Sequence, residues 1–302
     1  EMEHIPLSQA VPAGVLGFLG LPDEPFNPNL EEGNTERYDL ELQHQLQILP
    51  HLRSVWGLGA RQDRGQSEDL FNTPATITEN QWRLFANLEW QASEQLVWNL
   101  GAMAEHQNPY GTKTSPRLGL NYQLNPHHSL RASYTLAYRM PSLLDSKQDA
   151  HWIHSNGTDM ALLLSADPDL QPEENRTLEL GYLGRLPKLK LDIDLKLFHE
   201  QISHGIGRMM SPDPRRPETQ ATPQGITRTH SNNNQWRANG LEMQLKFRPS
   251  PLFWLALQYS YLDLEGQSRL GKTDPLNTPV DQDLSELTSR HSVGLLASQR
   301  LA

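Results

Sequence analysis

Four arginines are the residues best suited to bind a ligand, because each occupies a polar position in a segment where polar and apolar residues alternate. They are Arg61, Arg83, Arg117 and Arg139. A guanidinium group is a rigid bidentate donor to carboxylate, catecholate or phosphate oxygens. Glu105 and Glu179 occupy equivalent positions, so the group is net positive. We therefore expect these arginines to bind an anion or, as the alternative, to form ion pairs with the two glutamates.

A second candidate site lies in the long connection between residues 140 and 175, which contains His151, Trp152 and His154. Imidazole nitrogens bind iron or haem, although histidines in such loops are more often simply solvated. Carboxylates also gather in this connection, and carboxylate oxygens are Ca²⁺ ligands. No Asp-x-Asp-x-Asp-Gly loop accompanies them, so we predict no metal site.

The sequence contains no motif of an enzyme active site. Gly-x-Ser-x-Gly, His-Glu-x-x-His and Gly-rich phosphate loops are absent. The chain has no cysteine, which excludes disulfides, thiolate metal sites and cysteine nucleophiles. Its 26 basic and 36 acidic residues give a net charge of -10, which argues against a nucleic-acid partner. We expect a binding protein rather than an enzyme, and no cofactor is implied.

The elements that position the candidate residues are strands. Trp82, Leu84, Ala86, Leu88 and Trp90 alternate with polar residues, and strict alternation over more than four residues indicates a strand with two unlike faces. About eleven such segments follow one another from residue 35 onward, without a convincing helix. Residues 1–34 are rich in proline and lack a period. We therefore predict an irregular segment over 1–34 and an all-β region over 35–302.

The connections between strands alternate between short turns and long loops. The long loops are predicted at residues 62–80, 107–114, 140–175, 207–233 and 265–288. Compact soluble domains rarely contain several structureless loops of this length, whereas outer-membrane barrels combine tight periplasmic turns with long external loops. The asymmetry favours a transmembrane antiparallel β-barrel. In such a barrel the four arginines and the two glutamates would face the lumen near its external mouth and give it a net positive rim.

Aromatic residues at strand ends support the barrel over a soluble β-rich binding domain, which is the alternative for an alternating pattern. Trp82 and Trp90 are about 26 Å apart along a strand at roughly 3.3 Å per residue. A tilt of about 40° reduces that to roughly 20 Å of height, close to the apolar band of such barrels. Trp98 follows the next short turn and should neighbour Trp90. An odd number of strands indicates that the sequence does not close a barrel by itself.

Several segments, in their order and spacing, resemble the barrel of TonB-dependent outer-membrane receptors over roughly residues 35–302. They are Ser115-Pro116-Arg117-Leu118, Asn125-Pro126, Ser129 to Tyr134, Tyr138 to Leu143, Asp167 to Glu173, Thr177 to Tyr182 and Asn239 to Glu242. The resemblance implies a 22-stranded barrel in the outer membrane, plugged by an N-terminal domain. The sequence shows neither a plug nor an energy-coupling segment, and we expect it to be the C-terminal half of such a barrel, lacking roughly the last two strands.

The same resemblance implies active uptake of a scarce ligand. The expected ligand is an anionic iron chelate, most simply a ferric siderophore, with haem and cobalamin as other possibilities. Outer-membrane lipid and a TonB-type energy-coupling protein, reached through the missing N-terminal part, are the further partners implied, and the arginines have the plug as another potential partner. A passive porin-type channel is the alternative function.

Overall fold

The described residues form a single sheet of fourteen strands. A computed structural model of the chain describes residues 33–153, 159–212, 226–272, 279–286 and 288–299. The strands are β1 Asn34–Leu49, β2 Leu52–Ser67, β3 Thr73–Gln91, β4 Leu96–Gln107, β5 Gly111–Asn125, β6 His128–Arg139, β7 Asp149–Ile153, β8 Asp159–Ala166, β9 Glu173–Leu186, β10 Leu191–Pro212, β11 Ile226–Ser250, β12 Phe253–Lys272, β13 Pro279–Asp283 and β14 His291–Gln299.

Eleven of these strands form an antiparallel meander in which each long strand pairs with the next long strand along the chain. The other three, β7, β8 and β13, are short and lie in the connections between long strands. The prediction of an all-β fold with about eleven membrane-crossing strands is therefore confirmed. Within the described residues β1 and β14 are each paired on one side only, so the sheet is a wall with two free edges.

The turns predicted to be short lie at one end of the wall, and the opposite end has one tight turn, between β4 and β5, where Gln107 is in register with Gly111. Leu49 is in register with Leu52, Asn125 with His128, and Ser250 with Phe253. In an outer-membrane barrel this is the periplasmic end. Trp90 and Trp98 are also in register at this end, as predicted, so their indoles mark the same level of the wall.

Part of each long loop predicted from the sequence is strand in the described residues. β2 continues to Ser67 and β3 begins at Thr73, so the loop expected at 62–80 is reduced to a short helix, Glu68–Phe71. β10, β11 and β12 extend in the same way beyond their apolar segments. The prediction was wrong because alternation marks only the part of a strand that separates lipid from water. Beyond the bilayer both faces are wet, and the pattern disappears while the hydrogen bonding continues.

Large apolar side chains form an exposed belt on one face of the sheet. Leu40, Leu84, Leu180 and Leu295 are 75%, 53%, 53% and 69% exposed, and they occupy the alternating positions that the sequence identified. A monomeric protein in water rarely exposes such a large contiguous apolar surface, whereas lipid covers it without cost. The belt is thus the outer, lipid-facing side of the wall.

The opposite face is polar and concave. Residues from β3 through to β14 line one shared cavity, from Asn87 at one end to Gly294 at the other. A flat sheet could not bring strands so far apart in the meander around one cavity, so the sheet must curl with its polar face inside.

Helices contribute little to this architecture. Besides Glu68–Phe71, a second short helix, Leu143–Lys147, begins at a capping box formed by Ser142 and Asp145. Among the described residues no helix is both long and apolar enough to cross a bilayer.

The belt predicts that a charged substitution lowers the free energy of unfolding more on the lipid-facing side of a strand than on its polar side. We expect Leu84→Arg to lower the free energy of unfolding in lipid vesicles by about 2 kcal/mol, because the guanidinium would face hydrocarbon. Asn87→Arg, on the polar face of the same strand, should change it far less. Denaturant titration of the full-length protein in vesicles measures both, and equal costs for the two variants would contradict the assignment of faces.

Candidate functional site

The concave face contains a cavity of about 1000 Å³, referred to below as the central cavity, which lies on the periplasmic half of the long strands β10, β11 and β12. Its lining is mainly polar because the inward positions of the alternating strands are polar. Three cations and three carboxylates contribute to it: Arg117, Arg131, Lys196, Glu179, Asp194 and Glu242.

Two of the three cations are neutralised by neighbouring carboxylates. The Arg131 guanidinium lies 2.6 Å from an Asp194 oxygen, and the Lys196 ammonium lies 2.8 Å from Glu242. Arg117 forms no ion pair with any residue that the structure describes, and its side chain is exposed to the cavity. Arg117 is therefore the cation available to an anionic ligand.

The Arg131–Asp194 pair depends on a glycine. Arg131 lies on β6 and Asp194 on β10, with Gly181 of β9 between them. A Cβ atom added at Gly181 would lie 2.4 Å from Arg131 Nε, so only glycine allows the guanidinium to cross this strand. The ion pair thus links three strands over the face of the central one.

The same arrangement recurs nearer the external end. Arg83 on β3 crosses Gly59 of β2 and reaches Asp39 and Glu41 on β1, each at 2.9 Å. An arginine, a glycine on the next strand and a carboxylate on the strand beyond therefore form a repeated lateral tie on the inner face.

Three of the four arginines singled out from the sequence are engaged in ion pairs. Arg61 donates to Asp63 at 2.8 Å, Arg83 forms the tie described above, and Arg139 binds Asp145 and Glu173, both at 3.2 Å. Their partners are not Glu105 and Glu179, which were the alternative considered from the sequence, but five other carboxylates. The prediction of a net positive rim is therefore corrected, because local carboxylates offset the charge of these arginines.

Arg117 differs from the other three in position as well as pairing. It is in register with Gly101, which is in turn in register with Asn87, so it lies on the wall of the central cavity rather than at the rim. The alternation of polar and apolar positions shows which residues face inward but not how deep they lie along the strand. For this reason it did not single out Arg131, Asp194 and Lys196. The glycines crossed by the arginines, Gly59 and Gly181, were the feature of the sequence that could have indicated the lateral ties.

The described residues of the connection at 140–172, which are 140–153 and 159–172, fold across the external end of the wall and are called the mouth strap below. On one side Asn72, beside β3, donates to Asp149 at 3.3 Å. On the other side β8 pairs with β11 in parallel, and the Asp167 amide donates to the His230 carbonyl at 2.9 Å. The strap therefore joins parts of the wall that are far apart in the meander.

The loop residues proposed from the sequence belong to this strap. His151 Nε2 lies 2.9 Å from Asp149 and its side chain is 10% exposed, so it participates in holding the strap. Trp152 lies in β7, and His154 lies outside the described residues. Within the described residues no group of three or more potential ligands could hold a metal ion.

Asp145 is the centre of the polar contacts that hold the strap helix. Its carboxylate accepts hydrogen bonds from the Ser142 amide at 3.0 Å and the Ser142 hydroxyl at 2.9 Å, and it pairs with Arg139. Burial acts to raise the pKa of Asp145, but these hydrogen bonds and the nearby positive charges outweigh it and keep the pKa below its ordinary value. The carboxylate is thus ionised and fixed in place.

His230 links the strap helix to β11 beyond the apolar belt, which on this strand begins at Leu241. Arg208 Nε donates to His230 Nε2 at 2.8 Å, so the imidazole proton is on Nδ1, which faces Asp145 Oδ1 at 3.4 Å. Burial is the largest effect and lowers the pKa of His230; Arg208 and Arg139 lower it too, against the opposite effect of Asp145. The folded strap therefore favours the neutral imidazole.

Comparison with known proteins agrees with this architecture. The family model described as "TonB dependent receptor-like, beta-barrel" matches residues 15–299. The iron-regulated outer membrane virulence protein of Vibrio cholerae O395 is 27% identical over 136 residues, which is 45% of this chain and 20% of the relative.

Two solved structures show the same fold. The siderophore receptor PirA from Pseudomonas aeruginosa superposes with a TM-score of 0.64 at 16% identity, covering 78% of this chain and 46% of the receptor. PirA from Acinetobacter baumannii gives 0.62 at 13% identity, covering 91% and 42%. The matched regions thus span about a fifth of the curated relative and less than half of the solved receptors.

The polar concave wall, the lipid-facing belt and the asymmetric turns define a transmembrane β-barrel of the outer membrane. The chain belongs to the TonB-dependent receptor-like β-barrel family.

The lateral ties predict that a single methyl group added to a crossed glycine breaks an ion pair. Gly181→Ala should displace Arg131 and remove its pair with Asp194, lowering the free energy of unfolding by less than about 1 kcal/mol since the pair is half-exposed. Gly119→Ala is the matched control, because its Cβ would make ordinary contacts at 3.5 Å.

A double-mutant cycle separates this loss from general crowding. In an Arg131→Ala background, which lacks the Cγ, Cδ and Nε atoms that a Cβ at Gly181 would contact, Gly181→Ala should have no further effect. An undiminished cost in that background would show that the glycine serves a purpose other than the crossing of Arg131.

The buried His230 predicts that acid loosens the mouth strap. Because the folded strap lowers the pKa of His230, its stabilisation is complete above the ordinary histidine pKa of about 6.5 and is lost as pH falls through the lowered value. Asp145 should contribute down to lower pH, since its own pKa lies below the ordinary value of about 4.

Hydrogen exchange at the Asp167 amide, compared at each pH between the wild type and His230→Gln, measures this effect. The protection of the wild type relative to the variant should begin to fall near about pH 6.5 and should keep falling as the pH passes through the lowered pKa of His230. A ratio independent of pH would contradict the role of His230.

Proposed function

We propose that this chain forms the ligand-facing wall of a receptor that imports a ferric siderophore. The observation that carries the proposal is Arg117, which faces the central cavity without an ion-pair partner among the described residues. Ferric siderophores present carboxylate, catecholate or hydroxamate oxygens around the metal, and an unpaired guanidinium binds anionic oxygens in a bidentate geometry.

The relatives support the same class of ligand. Both solved structures described above are named siderophore receptors, and the Vibrio cholerae relative is named for its regulation by iron. Their ligands are properties of those proteins, and at these identities the structures show a common fold alone. Together with an accessible arginine in the cavity, they favour an anionic iron chelate over haem or cobalamin.

The mouth strap favours a gated receptor over a passive porin. A segment tied to both sides of the mouth narrows it, which suits a receptor that opens for its ligand. Here Asn72, Gln107, Asn232 and β11 all hold the strap. A gated mouth requires energy to release a bound ligand, which suits coupling to a TonB-type protein through a part of the receptor outside this chain.

The wall by itself does not enclose the ligand. Its free edges, β1 and β14, would leave backbone groups unpaired in hydrocarbon at a cost of several kcal/mol each. We therefore infer that further strands complete the barrel in the working receptor. The division of this chain into an irregular segment over 1–34 and a barrel region over 35–302 stays a prediction. The first described strand, β1, begins at Asn34.

Binding of a panel of ferric siderophores, haem and cobalamin to the full-length receptor tests the proposal. We expect a ferric siderophore to bind, and Arg117→Gln to weaken its binding by about tenfold, the usual effect of losing one charge-assisted contact. If no ferric siderophore in the panel binds the wild type, the proposed ligand class is wrong.

Arg61→Gln is the matched control, because Arg61 is an inward arginine already paired with Asp63. Its dissociation constant should equal that of the wild type. Equal weakening by both substitutions would mean that overall charge, and not the exposed guanidinium of Arg117, determines affinity.

A further inference from the structure

A second cavity, of about 380 Å³, lies on the concave face at the periplasmic end, and is called the exit cavity below. Its charged lining comes from β9, β10 and β11: Arg185, Asp192, Lys246 and Arg248, with His127 from the β5–β6 turn. These side chains occupy inward positions of their strands, so the cavity opens to the interior of the barrel and not to lipid.

The charges around the exit cavity are unbalanced. Asp192 is shared by two guanidinium groups, with Arg248 at 2.8 Å and Arg185 at 3.5 Å. Lys246 lies over the Trp254 ring at 4.5 Å and pairs with no carboxylate among the described residues. Asp194 also borders the cavity, but Arg131 already binds it at 2.6 Å. Three cations therefore have one carboxylate between them.

Among the described strands this imbalance occurs in one sector of the periplasmic end. At the β2–β3 sector the inward Arg53 has its own carboxylate, Glu89, at 3.0 Å. The β3–β4 turn carries Glu94 and no cation, and the β1–β2 turn is uncharged apart from a histidine. In a chain of net charge -10, an excess of cations in a single lumenal recess calls for a ligand that compensates it.

The exit cavity adjoins the central cavity. Asp194 and Gln244 line both of them, so a ligand that leaves Arg117 meets the exit cavity further along the same wall. The central cavity offsets most of its cations with carboxylates, whereas the exit cavity does not. An anion moving from one to the other thus passes from a cavity whose three cations face three carboxylates to one whose three cations share Asp192.

We propose that the exit cavity is a second anion-binding site, which receives the carboxylate, catecholate or phosphate groups of a ligand on its way to the periplasm. Arg185 and Arg248 supply the planar donors that such oxygens prefer, while Lys246 contributes a mobile ammonium from the Trp254 ring. Asp192 keeps the two guanidinium groups oriented and limits the affinity, so that the ligand can leave. The role in transport rests on the proposed function, but the anion site itself does not.

Inorganic pyrophosphate is a suitable probe, because it presents the same anionic oxygens and can be titrated into the purified full-length receptor. We expect calorimetric binding to the wild type and at least about tenfold weaker binding to the double variant Arg185→Gln/Arg248→Gln, in keeping with the loss of close charged contacts. Binding should also change the Trp254 fluorescence as Lys246 moves, a signal that Trp254→Phe removes.

Arg53→Gln is the matched control, since it removes an inward arginine at the same end of the wall from a balanced pair. It should bind pyrophosphate like the wild type. The proposal is overturned if the wild type binds no pyrophosphate, if all variants bind alike, or if Arg117→Gln alone abolishes binding, which would locate the anion in the central cavity.

Transport then separates this site from the proposed function. In cells, Arg185→Gln/Arg248→Gln should leave the affinity for the ferric siderophore at the surface unchanged and slow its uptake severalfold. If no siderophore binds at all, the proposed function fails, while the pyrophosphate titration still decides whether the anion site exists. Unchanged uptake together with lost pyrophosphate binding would overturn the role in transport.

Discussion

The structure depends on one constraint, that a backbone crossing hydrocarbon must satisfy its own hydrogen bonds. A continuous antiparallel meander does so, and it forces every crossing strand to carry lipid-facing and lumen-facing residues in alternation. The exposed leucines on one side and the charged cavities on the other are therefore two results of the same pairing. A shift of any strand by one residue would move arginines into lipid, so the register is strongly specified.

The inner face shows how charges are accommodated on such a wall. Ties such as Arg131–Asp194 and Arg83–Asp39 neutralise cations across glycines, and they hold three strands at a time. Against this neutral background the unpaired Arg117 and the crowded exit cavity stand out. The uneven distribution of charge along the wall, rather than its total charge, marks the path that we propose for an anion.

Much of this fold could be predicted from the sequence, because alternation, turn length and the tryptophans at strand ends all report on the bilayer. The pairing of Trp90 with Trp98 is an example. The strand extensions beyond the belt could not be predicted, since water on both faces erases the pattern that the bilayer imposes.

The site was less predictable than the fold. Parity identified Arg61, Arg83 and Arg139 as inward, but their carboxylate partners lie on other strands, in the strap or on the same strand two residues away. Sequence spacing does not reveal which strands lie side by side at a given depth. The register between strands determines that arginines cross Gly59 and Gly181 and that Arg185 and Arg248 share Asp192. These contacts become visible only in three dimensions.

The most direct test of the account is a scan of single cysteines along β10, from Leu191 to Phe198, in the full-length receptor in lipid. The chain has no cysteine of its own, so each spin label would report one position. We predict that accessibility to oxygen peaks at the odd positions and accessibility to a polar nickel reagent at the even ones. Uniform accessibility, or the opposite phase, would contradict both the lipid-facing belt and the inward placement of Asp192, Asp194 and Lys196.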